Sequence, residues 1–565
     1  MYNLSNTGSL IASDEYIGEQ GTGSFNQTGG TNTVTNDLRI GWTSGSTGTY
    51  SQTDGTNSIS NFLTLGNVSG ASGTYNLSGT GSLSAGGQTI GHSGTGVFTQ
   101  TGGTNSVTNI LRLGGESGSS GTYNLSGGSI LADSEYLGSS GEATFTQTGG
   151  TNSVSSYFGV GVFSGSQGVY NLSNTGSLIA ANEYIGEQGT GSFNQTGGTN
   201  TVTNGLRIGW TTGSAGTYTI SGGTLGVGGS IINGAGTGTL NIDGGTVTAG
   251  TIGVDTLNIG NSAGTNGSHT LGSGESISTG SETIGNSGTG VFTQTGGTNT
   301  ISNNLLVGAS SGSSGTYNVS GGSFSANNSY IGGSSTASGG SGTLEISGVG
   351  DALFSNTLKI WDAGVVNLSG GMLKAGTIDN TNGGAFNVTG GTLAVDTFHG
   401  NLSITDTILA PGNSPGTTSV FGDYSMDLDS TLQIEIGGLL AGTEFDVLDV
   451  SGIMDLGGTL EVLLYGGFNP DAGDTFDILN WGSLTGMFDF LVMPTLLGDL
   501  FWDTSALYTT GELSVGSQPV PEPATVALLG IGLAGMGGVY LRRRRRRREK
   551  QNFTAKSQRT QKNFR

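Results

Sequence analysis

A repeat of about 24 residues constrains the fold of this chain more than any other feature of its sequence. Residues 2–50 recur almost unchanged as residues 170–218, and shorter units, each starting at an aromatic anchor, recur inside that block. A unit this small cannot bury its apolar face alone, so repetition at this period is typical of a solenoid in which each unit stacks on the last. The strong anchors follow one another every 22 to 25 residues, at Tyr2, Phe25, Tyr50, Tyr75, Phe98, Tyr123, Phe145, Tyr170, Phe193 and Tyr218.

Each unit carries the local signal of short β-strands. Apolar and polar residues alternate in short runs that glycine-rich breaks separate, as in residues 170–186. About three such strands fit one unit. We therefore predict an all-β parallel β-solenoid (β-helix) over residues 1–416, with coils of about 24 residues and right-handed crossovers. Further anchors extend the series to Leu240, His269, Phe292, Tyr317, Leu344, Val366, Phe386 and Leu402.

The residue types at matching positions agree with this fold. Tyr, Phe, Leu and Ile recur where stacked coils would place them inside as ladders. Asn and Thr recur at the predicted turns, where their side chains can bond to the backbone or to the same residue one coil away. Glycine supplies positive φ at corners and permits close stacking, and it makes up 112 of the 565 residues. Because the chain has no cysteine, packing and backbone pairing must hold it together.

Charge is distributed very unevenly. Of the 17 Lys and Arg, 12 lie in residues 542–565, so five remain upstream. Of the 39 Asp and Glu, 38 lie upstream of that segment, which gives residues 1–541 a net charge of −33. A body this acidic repels nucleic-acid phosphates and favours solubility outside the cell. We therefore expect no nucleic-acid partner.

The pattern changes after residues 411–416, which read Pro-Gly-Asn-Ser-Pro-Gly. Residues 417–515 are more hydrophobic and contain stronger strand signals. An open solenoid end exposes apolar core and unpaired strand edges, so we interpret this segment as a β module that caps the solenoid. The predicted strands are Thr431–Ile436, Phe445–Val450, Thr459–Leu464, Thr475–Leu479 and Leu513–Val515.

The C-terminal segment, residues 516–548, combines three signals in a fixed order. A short motif comes first, and a run of 18 mostly apolar residues, 524–541, follows it. As a helix that run would span roughly 27 Å at about 1.5 Å per residue, close to a hydrocarbon core of about 30 Å. A cluster of seven arginines would then remain cytoplasmic, because basic segments resist translocation. Residues 549–565 form a polar basic tail that we predict to be disordered. The motif is Val520, Pro521, Glu522 and Pro523, and the arginines are Arg542, Arg543, Arg544, Arg545, Arg546, Arg547 and Arg548.

A Pro-Glu-Pro motif, one apolar helix and an arginine cluster, in that order, resemble the PEP-CTERM sorting signal of exported bacterial proteins. The resemblance implies processing near the motif by an exosortase, a membrane-embedded transpeptidase, after transient anchoring through a single transmembrane helix. The aromatic-anchored, Gly-Gly-Thr-rich units of residues 2–330 resemble the repeats shared by PEP-CTERM proteins and autotransporter passengers. Residues 417–515 resemble the β module that follows solenoids in autotransporter-associated proteins.

Candidate catalytic and metal-binding residues are few. The histidines His92, His269 and His399 show no metal-ligand spacing. Upstream of the arginine cluster the basic residues are scattered, which disfavours a lyase site needing clustered carboxylates plus Lys or Arg. Glu15, Glu135 and Glu183 recur at the coil period just before a tyrosine, and we interpret them as a structural or surface ladder. We therefore expect no enzyme activity, no cofactor and no metal.

The sequence predicts an exported structural or adhesive protein of the cell surface or extracellular matrix, with extracellular polysaccharide as a candidate partner. Two alternatives stay open: an autotransporter-like adhesin passenger and a polysaccharide-degrading β-helix enzyme. Residues 1–5 already read as the middle of a repeat and show no secretory leader. We therefore expect the natural start, with its signal peptide, to lie upstream.

Overall fold

The computed structural model describes residues 1–412, 414–518, 536 and 538–550. It confirms a parallel β-solenoid of about 19 turns with coils of about 24 residues. At about 4.8 Å between stacked strands, these turns form a rod about 90 Å long. A single apolar core runs through it from Leu4 to Val515.

The strands of the first coils are short segments or long runs that bend around corners. They are β1 (Tyr2–Leu4), β2 (Ser9–Ala12), β3 (Glu15–Ile17), β4 (Thr22–Val34), β5 (Leu38–Ile40), β6 (Thr47–Leu65), β7 (Ser72–Leu77), β8 (Ser82–Ile90), β9 (Thr95–Gln100), β10 (Thr104–Leu113), β11 (Ser120–Leu125), β12 (Ser129–Leu137), β13 (Glu142–Gln147), β14 (Thr151–Val160), β15 (Gln167–Leu172), β16 (Ser177–Ile185), β17 (Thr190–Ile208) and β18 (Ala215–Val227).

The middle of the rod continues with the same kinds of strand. These are β19 (Ser230–Ile232), β20 (Thr237–Ile242), β21 (Thr246–Thr248), β22 (Thr251–Ile259), β23 (Asn266–Leu271), β24 (Ser276–Ile284), β25 (Thr289–Val307), β26 (Ser314–Ile331), β27 (Ser341–Ile346), β28 (Asp351–Ile360), β29 (Gly364–Asp379), β30 (Ala385–His399), β31 (Leu402–Ile404) and β32 (Ile408–Leu409).

The remaining strands follow the Pro-Gly turn. They are β33 (Thr417–Phe421), β34 (Tyr424–Met426), β35 (Thr431–Ile436), β36 (Val447–Leu456), β37 (Thr459–Leu464), β38 (Thr475–Asp477), β39 (Leu479–Gly486), β40 (Phe490–Val492), β41 (Leu500–Asp503) and β42 (Glu512–Ser517).

Three faces build each regular coil, as the sequence predicts. In one coil β11 forms the first face, and β12 supplies the other two because its register shifts between Ala132 and Ser134. Each strand pairs in parallel with the equivalent strand one coil away. Tyr123, for example, lies opposite Phe98 on one side and Phe145 on the other. The pairing puts the anchors in one column inside the rod.

Stacked aromatic rings fill this column in the first half of the rod. From Phe25 to Tyr218 consecutive rings stack with centroids 4.5 to 4.9 Å apart. That distance is the strand spacing itself, since each ring is carried by a strand that pairs with the next. The ladder predicted from the anchors is therefore confirmed.

Corner glycines make this close stacking possible. Gly186 follows β16 directly and has a φ of 71°, in the left-handed region. A Cβ there would lie 2.1 Å from the carbonyl oxygen of Ala215 in the next coil. A side chain at this corner would therefore push two coils apart.

The ladder departs from the predicted anchor series between Leu240 and His269. Leu240 pairs with Leu257, a step of 17 residues, and His269 pairs with Phe292. The coil between them is shortened. The buried carboxylate of Asp243 holds its turn by accepting bonds from the backbone N–H of Ser262 at 3.2 Å and its hydroxyl at 2.7 Å.

The parallel ladder continues beyond residue 417 as far as the pairing of β37 with β40. β35 and β37 have the predicted bounds, whereas the strand predicted at Thr475–Leu479 is divided between β38 and β39. At the end, β38, β42 and β41 form a small antiparallel sheet. Its buried Phe476 contacts Phe445 with ring centroids 5.4 Å apart. The division into a solenoid over residues 1–416 and a capping module over residues 417–515 stays a prediction, and so does the right-handedness of the crossovers.

We predict that Tyr123→Phe destabilises the rod. The Tyr123 hydroxyl donates to Gln100 Oε1 at 2.5 Å and accepts from Asn105 Nδ2 at 3.1 Å, all inside the core. Loss of the Tyr123 hydroxyl leaves the buried Gln100 Oε1 without this donor. The free energy of unfolding, measured by urea titration, should fall by about 1–3 kcal/mol. Tyr2→Phe is the control, because Tyr2 is 47% exposed at the rod end. Equal stability of the two variants would contradict the assignment.

Candidate functional site

The C-terminal segment lies partly outside the described residues. The predicted motif Val520, Pro521, Glu522 and Pro523 is outside them, as are most of the predicted membrane helix 524–541 and the tail beyond Lys550. Residues 538–550 are helical, and Arg542 to Arg548 are all exposed on that helix. Within the part of the chain that the structure describes, no helix combines the length and apolarity needed to span a membrane.

A polar network runs inside the solenoid beside the aromatic ladder. In one coil the Tyr218 hydroxyl donates to Gln195 Oε1 at 2.6 Å and accepts from Asn200 Nδ2 at 3.1 Å. The Gln195 amide donates to the backbone oxygen of Thr224 in the next coil at 3.0 Å. The same tyrosine, glutamine and asparagine arrangement recurs around Tyr50, Tyr75, Tyr123, Tyr170 and Tyr317.

Glutamates extend this network into the core. Glu135, Glu183 and Glu282 are completely or almost completely buried. Each accepts from an asparagine Nδ2 at 3.0 to 3.1 Å. Phe158 pairs with both Glu135 and Glu183, so apolar surface separates these two acids along the column.

Burial raises the pKa of these carboxyls against the opposing effect of the asparagine hydrogen bond. The pKa rises from 4.5 to about 7 at Glu135, to about 8 at Glu183 and to about 7 at Glu282. Desolvation is the cause, because the charged form loses its water shell without gaining a cation. The neutral acid is therefore the favoured form at pH 6.

A natural glutamine shows how the neutral acids are bonded. At the equivalent position Gln88 donates to Asn105 Oδ1 at 2.6 Å and accepts from Asn105 Nδ2 at 3.0 Å. In the glutamate coils the two atoms left without a partner are Glu183 Oε1 and Asn200 Oδ1, with the same pair at Glu135. A proton on Oε1 completes the reciprocal pair that Gln88 makes with its amide.

The sequence predicted a structural or surface ladder for Glu15, Glu135 and Glu183. The structure shows that Glu135 and Glu183 face inward and that Glu15 is half-buried, whereas Glu282 was not predicted. The missed signal is the alternation of β16, in which Glu183 and Ile185 face inward while Tyr184 between them faces outward. Some of the asparagines that the sequence placed at turns lie inside the solenoid instead. The fully buried ones are Asn32, Asn57, Asn105, Asn152, Asn200 and Asn299.

The structure does not bring the histidines and the basic residues upstream of the arginine cluster together into one site. His269 fills its anchor slot, where burial lowers its pKa to about 4, and it lines a small cleft with Glu275. Arg112 and Arg207 share an outward column but stand four coils apart in its register. Within the described ranges, no three His, Asp or Glu residues converge as metal ligands. A groove of about 680 Å³ has mainly small and apolar walls around Leu131 and Ile179.

The family model described as the PEP-CTERM protein-sorting motif matches residues 519–546. The chain carries a PEP-CTERM sorting signal. This signal implies an exported, surface-directed protein that is processed by an exosortase. No curated protein matches the chain.

The PEP-CTERM match covers the predicted motif Val520 to Pro523 and all but the last two of the seven arginines. It falls within the segment 516–548 that the sequence predicts as the sorting signal. The roles of the individual residues in processing and in membrane topology stay predictions.

We predict that the triple variant Glu135→Gln, Glu183→Gln and Glu282→Gln is less sensitive to alkaline pH. Because the folded pKa values exceed the unfolded value of 4.5, the folded chain holds more protons between pH 4.5 and about 8. Stability is therefore full below that window and falls as pH rises through 7 to 8, on the order of 3 kcal/mol per group.

The measurement is the thermal unfolding midpoint by circular dichroism at pH 5 and pH 9. The drop between the two pH values should be smaller in the triple variant than in the parent chain. Glu142→Gln, at an exposed position, should leave the drop unchanged. An unchanged drop in the triple variant would show that the three acids are not neutral in the folded core.

Proposed function

We propose that this protein is an exported, non-catalytic rod with a structural or adhesive role at the cell surface or in the extracellular polysaccharide matrix. The observation that carries the proposal is the order of the chain. One unbroken stack of about 19 coils is followed directly by a PEP-CTERM signal. Such a chain delivers a long, repetitive surface to the outside of the cell, and its contacts repeat along the rod.

The outer surface of the first face supports contact with hydrated sugars. Its outward columns carry amides and hydroxyls, and neighbouring coils bond through them, as Asn194 does to Asn171 at 3.0 Å and Asn387 to Asn367 at 2.7 Å. Arrays of such groups at the strand spacing offer repeated donors and acceptors to a polysaccharide. The acidic body at the same time keeps the rods from aggregating.

The C-terminal segment acts as a transient anchor in this proposal. Residues 524–541 cross the membrane as a single helix, and Arg542 to Arg548 hold its end in the cytoplasm. An exosortase then cleaves near Pro521-Glu522-Pro523 and releases the rod to the surface. Anchoring and cleavage near this motif are the steps that the test addresses.

The test is mass spectrometry of the C-terminus of the protein from surface and medium fractions of its native host. We expect a terminus near Pro521-Glu522-Pro523, with residues 524–565 absent. A variant with Pro521 and Pro523 both changed to alanine should keep its full C-terminus and stay in the membrane fraction. An intact Arg565 terminus in the parent protein at the surface would contradict processing.

A further inference from the structure

Two long copies within the chain differ at a small number of positions that centre on one arginine. Residues 2–50 and 170–218 are identical except at five places. Two of these differences remove both acids that pair with Arg39 in the first copy, so that its equivalent, Arg207, lacks them. The five differences are Ser13/Ala181, Asp14/Asn182, Asp37/Gly205, Ser44/Thr212 and Thr47/Ala215.

In the first copy Arg39 is fully engaged. Its Nη1 lies 2.9 Å from Asp14 Oδ1, and its Nη2 pairs with Asp37. The guanidinium carbon also lies over the rings of Tyr16 and Trp42, 5.3 and 4.8 Å from their centroids. Two carboxylates and two aromatic rings therefore enclose this cation.

In the second copy the aromatic rings remain and the carboxylates are gone. Arg207 lies 4.9 Å from the centroid of Tyr184 and 5.1 Å from that of Trp210. Asn182, in the place of Asp14, donates instead to the backbone oxygen of Ser156 at 3.4 Å. The Nε and Nη1 atoms of Arg207 are buried and have no hydrogen-bond partner among the described residues. An arginine remains charged at any physiological pH, and within the described residues no carboxylate forms a salt bridge with Arg207.

A side-chain carbon fits at Gly205, where the first copy has Asp37, without a clash. A Cβ built at Gly205 would come no closer than 3.5 Å to Ser230 O and 3.8 Å to Arg207 Nη1. Gly205 has ordinary backbone angles rather than a positive φ. The position over Gly205, here called the notch, therefore accepts a Cβ at ordinary contact distances, as the equivalent position does for Asp37 in the first copy.

We propose that Arg207, Tyr184, Trp210 and the notch at Gly205 form a binding site for the carboxylate of an acidic sugar, a hexuronate unit of a polysaccharide. The ligand carboxylate replaces the side chain of Asp37 and accepts from the Arg207 guanidinium. The two rings hold the guanidinium in place before the ligand arrives, so little side-chain freedom is lost on binding.

The surrounding rings favour a sugar over a protein carboxylate. Tyr157 stacks on Tyr184 with centroids 5.1 Å apart, and Phe163 beside Tyr136 is 41% exposed. Trp210 meets Tyr184 edge-on with centroids 6.2 Å apart, so a row of rings that suits the C–H face of a pyranose lies beside Arg207. The Tyr157 hydroxyl in this row donates to Glu187. A second copy of this chain would bring a body with net charge −33 against another, whereas a short oligouronate brings only a few charges, which salt screens.

This site would give the proposed matrix role a specific ligand, and its biological relevance rests on that proposed role. A polysaccharide that carries uronate units would be held at one defined coil, while the other faces contact it through repeated amides and hydroxyls. Processing at the C-terminus is measured separately, so a failure of sugar binding and a failure of sorting give different results.

The test is calorimetric titration of the full-length protein with tetragalacturonate and with its methyl ester, which keeps the sugar rings but removes the charges. We expect one site for the acid and binding about tenfold weaker for the ester, equivalent to the loss of one charge-assisted pair. Equal binding of acid and ester, or no binding of the acid, would overturn the proposal.

The two copies supply matched variants. Asn182→Asp with Gly205→Asp restores the acids of the first copy and should remove the site, whereas Asp14→Asn with Asp37→Gly should open a second site, giving two per chain. Circular dichroism checks that both double variants keep the parent fold. Unchanged stoichiometry in both would overturn the assignment to Arg207. A poly-glutamate peptide that binds as tightly as tetragalacturonate would overturn the assignment to a sugar.

Discussion

Parallel pairing of successive coils, in register and at about 4.8 Å, is the constraint on which the rest of this structure depends. It places every inward side chain directly on the equivalent residue of the next coil. Aromatic rings meet the constraint by stacking from Phe25 to Tyr218. Inward polar groups meet it by bonding to each other across coils, as Tyr218 does with Gln195 and Asn200. The buried glutamates fit the same scheme as neutral acids, since within the described residues they are bonded by asparagine amides and one threonine hydroxyl and form no salt bridge.

Most of the fold could be predicted from the sequence because period and alternation are local properties. The anchors at Tyr123 and Phe145 reveal the coil length, and two C-terminal strands, β35 and β37, have the predicted bounds. The inward glutamates could not be predicted from composition, because Glu183 is recognisable as buried only from its partner Asn200, 17 residues away in the next coil. The shortened coil after Leu240 could not be predicted for a similar reason. Shortening a coil changes which residues face each other without changing their type. The PEP-CTERM signal, in contrast, is a continuous stretch of sequence, so it can be recognised without knowledge of the fold.

Near-identical coils also show where function can diverge on a repetitive scaffold. The copies at residues 2–50 and 170–218 keep the residues that build the core and differ mainly on the outside. The differences around Arg207 therefore leave the residues of the ladder beneath it unchanged. Function on such a rod lies in small departures from the repeat, whereas the repeat itself supplies length, stiffness and a hydrated surface. The sorting signal then determines where that surface is displayed.

The claim that neutral glutamates belong to the interior network is tested most directly by carbon NMR of the protein labelled at the glutamate carboxyl carbon. The signals of Glu135, Glu183 and Glu282 are assigned by their loss in single Glu→Gln variants. The account predicts that all three keep the chemical shift of a protonated acid at pH 6 and titrate near pH 7 to 8. Titration near pH 4.5, together with the exposed glutamates, would contradict the neutral network and the core arrangement built on it.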